Sequence, residues 1–249
     1  MSVTRLSVNL NKFALLRNSR DTNYPDVGRM AVRAIRVGVD GITVHPRPDQ
    51  RHIRYSDVSV LRDLTREHGA EFNIEGNPIP EFLARVLEVR PDQCTLVPDA
   101  ADQLTSDHGW NLSESGTALV PIVRQLQEAG IRVSLFMDPD PAGMELVTSV
   151  GADRIELYTE SYARAFGAGK EDAVWSRFDA AACLARELGV GVNAGHDLNL
   201  RNLGRFLEIP SIREVSIGHA IVVESFDFGF EETLRRYLAI VRRHPGTSR

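Results

Sequence analysis

Several residues that can transfer protons stand directly after short apolar segments of the sequence. His45 closes "DGITVH", His196 follows "VNAG" and His219 follows "VSIG". Carboxyl or amide groups stand in equivalent places: Asn9, Glu75 and Glu156. Histidine, whose pKa lies near neutrality, and carboxyl groups whose pKa is raised by burial are the usual partners in proton transfer. The pattern therefore predicts a site that moves protons.

Two glycines and two clusters of basic residues indicate that this site binds phosphate. Gly195 and Gly218 each precede an expected helix start, where backbone N–H groups can hold an anion. The basic clusters lie in "HPRPDQRHI" and "LLRNSRDTNYP": Arg47, Arg51 and His52 in the first, Arg17 and Arg20 in the second. The guanidinium group matches phosphate oxygens, although a surface arginine is more often only solvated. Two separate clusters predict two anionic groups.

A junction that recurs along the chain organises the elements that position these residues. Helix-like segments end at a glycine, which suits the left-handed conformation at a helix end, and a short apolar strand follows. The junction glycines are Gly38, Gly69, Gly130, Gly151 and Gly189, and Pro91 and Pro210 end the helices at two further junctions. With "RLSVNL", this predicts eight strands near residues 6–10, 41–45, 71–75, 94–98, 132–137, 154–159, 191–195 and 214–218.

Strands that alternate with helices eight times are typical of a (β/α)8 barrel, whose usual length is about 250 residues. The alternative is an open, doubly wound sheet, which is disfavoured because no G-x-G-x-x-G sequence follows the first strand. We therefore expect an α/β protein, a (β/α)8 TIM barrel formed by residues 1–249 as a single domain. Active sites of such barrels lie at the carboxyl ends of the strands, so the residues above are expected to meet there.

Apolar and polar side chains alternate within the expected strands, as Val8 does with Ser7 and Phe72 with Asn73. In a closed barrel the apolar set packs against the outer helices and the polar set points into the barrel. A buried polar group without a hydrogen-bond partner costs roughly 1–3 kcal/mol. A polar barrel interior therefore indicates a ligand site.

Composition bears on partners and compartment. The net charge of -5 and pI near 5.8 give no general electrostatic reason to bind nucleic acid or an anionic membrane. Cys94 and Cys183 stand far apart without metal-ligand spacing, so we expect reduced thiols and a cytoplasmic protein. The first residues lack a signal-peptide pattern, and no stretch approaches the roughly 18 apolar residues of a spanning helix.

Several segments, in this order and at these spacings, resemble the pyridoxine 5′-phosphate synthase family of vitamin B6 biosynthesis. They are "LSVNLNKFALLRNSR", "DGITVHPRPDQRHI", "LVPD", "VSLFMD", "VNAGHDL" and "IGHAI", and the resemblance runs from about residue 6 to 244. It implies a (β/α)8 barrel with a few extra helices, assembled as a homo-octamer. It also implies that 3-amino-2-oxopropyl phosphate condenses with 1-deoxy-D-xylulose 5-phosphate to close the pyridine ring. Phosphate and water are released by acid–base catalysis, with no metal or other cofactor.

The same resemblance implies a role for each candidate residue. The catalytic groups would be His45 and Glu75 as bases, His196 as the acid on the opposite side, and Glu156 as the group that stabilises a charged transition state. The amino-ketone phosphate would be held by Asn9, Arg20, Gly218 and His219. The sugar phosphate would be held by Arg47, His52 and Thr105. Asp197 would bind substrate through its backbone N–H.

Two places depart from the family's pattern. Asn11 and Lys12 stand where an Asp-His pair is common, and Asp197 stands where glycine is common. The first change replaces an acid and an imidazole with an amide and a cation, so Asn11 and Lys12 are left out of the predicted site. A backbone contact from Asp197 depends little on its side chain.

The residues also allow two other functions. A metal-dependent barrel hydrolase or epimerase could use His45, Glu75, His196 and His219 as ligands, since imidazole and carboxylate suit Zn²⁺ or Mn²⁺. No H-x-H sequence follows the first strand, which disfavours this reading. A non-catalytic phosphosugar-binding barrel is the second alternative, although binding alone does not need several proton-transfer groups.

Overall fold

The computed structural model describes residues 2–100, 103 and 105–246, and its centre is a closed barrel of eight parallel strands. Each barrel strand pairs with its neighbours in sequence, and β2 closes the ring by pairing with both β3 and β9. The strands are β2 (Arg5–Asn9), β3 (Gly41–Val44), β4 (Glu71–Gly76), β5 (Gln93–Leu96), β6 (Arg132–Met137), β7 (Arg154–Tyr158), β8 (Gly191–Gly195) and β9 (Ile212–Ile217). Two short strands, β1 (Ser2–Val3) and β10 (Pro245–Gly246), pair antiparallel outside the barrel.

Every barrel strand is followed by at least one helix in the described part of the chain: β3 to β6 and β8 by one each, and β2, β7 and β9 by two each. They are α1 (Asn11–Asn18), α2 (Val27–Val37), α3 (Tyr55–His68), α4 (Pro80–Val89), α5 (Leu112–Glu128), α6 (Pro141–Val150), α7 (Glu160–Ala165), α8 (Glu171–Glu187), α9 (Leu203–Phe206), α10 (His219–Phe228) and α11 (Phe230–Arg243). The (β/α)8 barrel with extra helices is therefore confirmed. Among the described residues, none of these helices combines the length and the apolar character needed to cross a membrane.

The predicted glycine junctions explain where helices stop and strands begin. Gly38, which ends α2, has a φ of 107°, a value that side-chain-bearing residues rarely adopt. The junction glycines at 69, 130, 151 and 189 likewise have positive φ. A left-handed residue lets the chain leave the helix and turn back into the barrel. The expected strand positions agree with the structure to within two residues, the largest differences being that β5 ends at Leu96 and β9 begins at Ile212.

The barrel interior is polar, as the alternation predicts. Gln93 on β5 accepts a hydrogen bond from Asn193 Nδ2 on β8 at 3.3 Å, and Gln93 Nε2 donates to Glu214 on β9 at 3.4 Å. Because these strands are not neighbours, the side chains must cross the inside of the barrel. Closer to the carboxyl ends of the strands, Ser7 Oγ and Thr43 Oγ1 lie 2.7 Å apart. The alternate positions, such as Val8, are buried in the apolar layer between strands and helices.

Charged side chains close the amino-terminal end of the barrel. Glu71 forms ion pairs with Arg5 and with Arg132, the latter at 2.6 Å. Arg154 lies 4.0 Å from Glu214 and donates a hydrogen bond to Asn193 Oδ1 at 3.1 Å. The arginines of the interior therefore stand at its floor, and the site described next lies at the opposite end.

Candidate active site

A cavity of about 330 Å³, here called the mouth cavity, opens among the carboxyl ends of the barrel strands. Most of the residues predicted from the sequence line it: Asn9, Glu75, Thr105, Glu156, His196, Asp197, Gly218 and His219. The strand ends thus bring together residues that lie far apart in the chain. Thr105, Asp197 and His219 are exposed, whereas the two glutamates are buried.

A second cavity of about 250 Å³, here called the side cavity, is lined by His45 and Arg47. Glu75 lines the mouth cavity and the next residue, Gly76, lines the side cavity, so the two cavities adjoin along β4. His52 is buried beside His45, with ring centroids 6.1 Å apart. Arg20 is exposed just beyond α1 and lines neither of these cavities.

Two carboxyl groups, Glu75 on β4 and Glu156 on β7, are buried in the mouth cavity without an arginine partner among the described residues. Asn9 Nδ2 donates to Glu75 at 3.4 Å, and Thr95 Oγ1 donates to Glu156 at 3.5 Å. Burial, and then the nearby Glu156, raise the pKa of Glu75 well above its usual range. Burial, and then the charge of Glu214, raise the pKa of Glu156 to about 8. Glu156 therefore keeps its proton at neutral pH.

His45 in the side cavity and the adjacent His52 are neutral for a related reason. Burial, and then the charge of Arg47, lower the pKa of His45 well below its usual value. Burial and the same arginine lower the pKa of His52 to about 4. The Ile53 backbone N–H donates to His52 Nδ1 at 2.9 Å, which leaves the proton of the neutral ring on Nε2. A neutral imidazole at His45 can accept a proton.

His196 stands at the mouth in a strained backbone position, with φ at 77°. Its ring packs against those of Phe136 and Tyr158, with centroid distances of 5.0 and 5.2 Å. Burial lowers the pKa of His196, although the carboxylate of Asp197 opposes this shift. The two aromatic rings hold the imidazole in one orientation toward the cavity.

Glycine leaves room for a neighbouring side chain at two of the strand ends. A Cβ atom at Gly195 would overlap the Glu156 carboxyl, and one at Gly218 would lie 3.0 Å from Asn9 Cβ. Gly218 also precedes α10, whose first N–H groups face the mouth cavity beside His219. The expected helix start after Gly195 is wrong, because His196 and Asp197 both have positive φ and α9 begins only at Leu203.

The predicted basic clusters have different environments. Arg17 is buried and forms an ion pair with Asp57 at 2.7 Å, which fixes α1 against α3. Arg47 is buried and pairs with Asp99, and it also donates to the Gln103 carbonyl at 3.0 Å. Arg51 pairs with Asp49 at 2.6 Å. Each of these arginines already pairs with a carboxylate of the protein. It therefore has a structural role in holding a loop or helix, in addition to any contact with a ligand.

Sequence reasoning missed several residues that line the two cavities. Tyr158 ends β7 in the mouth cavity, and burial raises its pKa to about 12. Asp99 lies in the side cavity at the end of "LVPD" and is an acid that follows a strand, as Glu75 and Glu156 stand at strand ends. Asn11 and Lys12, which were left out, also line the mouth cavity, and Asn11 Oδ1 accepts a hydrogen bond from the His45 backbone N–H at 2.9 Å.

The side chains that the metal hypothesis invokes do not form a ligand cluster. Within residues 2–100, 103 and 105–246, no group of three or more His, Cys, Asp and Glu side chains is arranged to hold a metal ion. His45 lies in the side cavity, whereas Glu75, His196 and His219 line the mouth cavity.

Comparison with known proteins gives close relatives. The family model of the pyridoxal phosphate biosynthesis protein PdxJ matches residues 6–243. A pyridoxine 5′-phosphate synthase of Xylella fastidiosa (strain 9a5c) is 52% identical over 246 residues, covering 96% of this chain and 95% of that protein. The protein of the same name from Cytophaga hutchinsonii is 48% identical over 242 residues, covering 97% of this chain and 100% of that protein.

Solved structures share the fold at low sequence identity. A thiamine phosphate pyrophosphorylase from Pyrococcus furiosus superposes with a TM-score of 0.62 at 14% identity, over 96% of each chain. A phosphoribosylanthranilate isomerase from Thermotoga maritima has a TM-score of 0.58 at 12% identity, over 96% of this chain and 99% of that one. These likenesses bear on the barrel architecture alone.

Proposed function

The chain belongs to the family of the pyridoxal phosphate biosynthesis protein PdxJ, and we propose that it closes the pyridine ring of pyridoxine 5′-phosphate. The substrates are 3-amino-2-oxopropyl phosphate and 1-deoxy-D-xylulose 5-phosphate, and phosphate and water are released. The observation that carries this proposal is the set of buried acids and neutral histidines at the junction of two adjoining cavities. Ring closure from two ketones and an amine needs imine formation, enolisation, phosphate loss and dehydration, each of which moves a proton.

His45 and Glu75 act as the bases in this proposal. His45 is a neutral imidazole at neutral pH, so it can take a proton from a carbon or oxygen of the substrate in the side cavity. The raised pKa of Glu75 matches a base that works near neutrality better than an ordinary carboxylate does. A substrate ammonium or iminium beside Glu75 would draw its carboxyl toward the ionised form.

Glu156 and His196 supply protons and stabilise charge. As a neutral carboxylic acid that is itself buried, Glu156 donates a hydrogen bond to a substrate oxygen on which negative charge develops. His196 acts as the acid on the opposite side of the cavity. Because burial lowers its pKa, His196 needs a phosphate dianion nearby to favour the imidazolium, and the phosphate expected at Gly218 and His219 supplies that charge.

The phosphate groups occupy two places in this proposal. Gly218 and His219 present the start of α10 to the amino-ketone phosphate, with Asn9 at its side and Arg20 contributing from the exposed end of α1. Arg47, His52 and Thr105 hold the sugar phosphate, and Asp197 contributes its backbone N–H. The proposal uses no metal ion or other cofactor.

The assembly, compartment and domain organisation are part of the same proposal. We propose a homo-octamer in the cytoplasm, in which residues 1–249 form one domain. Exposed apolar side chains such as Tyr24 and Phe226, at 81% and 80% exposure, favour contacts between copies. Both cysteines carry free thiols, which is usual in a reducing compartment. Sedimentation at several protein concentrations tests the octamer.

The decisive experiment is phosphate release by the purified protein when both substrates are supplied together. We expect inorganic phosphate and pyridoxine 5′-phosphate in equal amounts, and neither when one substrate is omitted. The variant His45→Gln should be slow, whereas His68→Gln, at the amino-terminal end of the barrel, should match the wild type. Absence of both products in the wild type would refute the proposed function.

A further inference from the structure

Asp99 has two very different carboxylate oxygens. Its side chain is buried in the side cavity, where Oδ2 accepts hydrogen bonds from Arg47 and from Ser106 Oγ, the latter at 2.7 Å. Its backbone carbonyl accepts a hydrogen bond from Asn77 Nδ2 at 3.1 Å. Two neighbours therefore fix the direction of this carboxylate, and a third holds the backbone that carries it.

The other oxygen, Asp99 Oδ1, is buried and has no hydrogen-bond partner among the described residues. A buried carboxylate oxygen without a donor is rare, because its lost hydration is not replaced. Elsewhere Asp57, for example, uses both oxygens to pair with Arg17. The unused acceptor of Asp99 is thus a place where a ligand can supply the missing donor.

The surroundings define which donor fits. A phosphate group is mostly a dianion at neutral pH and would be repelled by the carboxylate. A cation is not needed, since Arg47 already compensates the charge of Asp99. The remaining wall of the side cavity includes the apolar Pro46, Ile79 and Phe82, which suit a carbon chain. A hydroxyl group on a short carbon skeleton fits, because it donates a hydrogen bond, carries no charge and brings carbon atoms to the apolar wall.

We propose that Asp99 is a substrate-binding residue whose Oδ1 accepts a hydrogen bond from a hydroxyl group of the sugar phosphate in the side cavity. This inference rests on the proposed function, since it takes 1-deoxy-D-xylulose 5-phosphate as the ligand. Arg47 then has two tasks, to orient Asp99 and to meet the sugar phosphate with its remaining N–H groups. The side cavity selects a hydroxylated sugar chain and not simply an anion.

The test is a cycle of binding measurements that combines protein variants with deoxygenated sugars. Calorimetry gives the affinity of wild type and Asp99→Ala for the sugar phosphate and for analogues that lack the hydroxyl at C3 or at C4. In the wild type, loss of the contacted hydroxyl should weaken binding on the order of 10- to 100-fold, the range for a hydrogen bond to a charged group. In Asp99→Ala the same deletion should change binding little.

Two further variants keep the test decisive if Asp99→Ala disturbs the loop. Asp99→Asn retains an uncharged acceptor, so the hydroxyl dependence should fall to roughly 2- to 10-fold. Asp107→Asn makes the same chemical change at an exposed position of the same loop, and it should keep the full dependence. Circular dichroism melting shows that each variant is folded.

The outcomes separate this inference from the proposed function. Equal dependence on the hydroxyl in wild type, Asp99→Asn and Asp99→Ala would overturn the role of Asp99 while leaving the function intact. Weakened binding of the amino-ketone phosphate alone in Asp99→Ala would overturn it as well, because the donor would then be the amine. A wild-type protein that neither binds the sugar phosphate nor releases phosphate from the two substrates would refute the function itself.

Discussion

Replacing Glu156 with glutamine should make the protein more stable and less active at neutral pH. The carboxyl group is buried, and its pKa rises from an ordinary 4.5 to about 8 because burial and Glu214 penalise the charged form. At 1.36 kcal/mol per pH unit, that difference corresponds to roughly 5 kcal/mol once the group is ionised in both states. Glutamine has nearly the same shape and never ionises, so it avoids this penalty.

The sign of the pH dependence follows from proton binding. Between pH 4.5 and about 8 the native protein holds the Glu156 proton and the unfolded chain does not, so the free energy of unfolding falls as pH rises. Below pH 4.5 the carboxyl is protonated in both states, and wild type and Glu156→Gln should differ little from this cause. At pH 7 the variant should be more stable by roughly 3 kcal/mol, and above pH 8 by roughly 5 kcal/mol.

Urea unfolding at fixed protein concentration, from pH 4.5 to pH 9, measures this difference directly. Glu67→Gln, the same change at an exposed position of α3, is the matched control and should show no comparable trend. Turnover of the wild type should fall above about pH 8 as Glu156 loses its proton, and the variant should be slow at every pH. A stability difference between wild type and Glu156→Gln that is independent of pH would refute the assignment of a neutral carboxyl.

Three further predictions concern the bases, the arginines and the lysine of the site. His45→Gln should bind both substrates and remain folded but lower turnover by roughly 10²- to 10⁴-fold, and wild-type turnover would contradict its role as a base. Calorimetry should show that Arg20→Ala weakens mainly the amino-ketone phosphate and Arg47→Ala mainly the sugar phosphate, whereas equal losses for both ligands would refute the two phosphate sites. Borohydride added during turnover should leave the Lys12 peptide unmodified in mass mapping, because the amino-ketone brings its own amine to imine formation; a reduced adduct there would contradict this.

The order of strands and the meeting of strand-end residues at one cavity could be predicted from the sequence because both depend on local signals. A glycine at a helix end, an apolar strand and a polar residue at its last position recur along the chain, and the barrel places those last positions at one end. The geometry of the loops could not be read in the same way. The sequence predicts that a helix begins directly after Gly195. In the structure His196 and Asp197 have left-handed backbone conformations, and the helix begins only at Leu203.

Ion pairs between loops that are distant in the chain could not be predicted from the sequence either. Arg47 and Asp99 stand 52 positions apart, and only the closed barrel makes them partners. The basic residues of "HPRPDQRHI" were predicted to meet phosphate, whereas the structure engages Arg47 and Arg51 with carboxylates of the protein. Any contact between Arg47 and a substrate anion must therefore use the N–H groups that Asp99 and Gln103 leave free.

The presence or absence of an arginine partner also explains how one barrel interior holds one glutamate in the ionised form and another in the protonated form. Burial raises the pKa of Glu71 at the floor, but its hydrogen bonds and charge interactions with Arg132 and Arg5 outweigh burial and lower it overall. Glu156, at the mouth end of the same interior, has Thr95 as its hydrogen-bond donor, and its pKa rises. Arg5 and Arg132 pair with Glu71 at the floor, whereas no arginine among the described residues pairs with Glu156, so the first carboxyl is ionised and the second is neutral. A neutral acid at the mouth is what a reaction that repeatedly gives and takes protons requires.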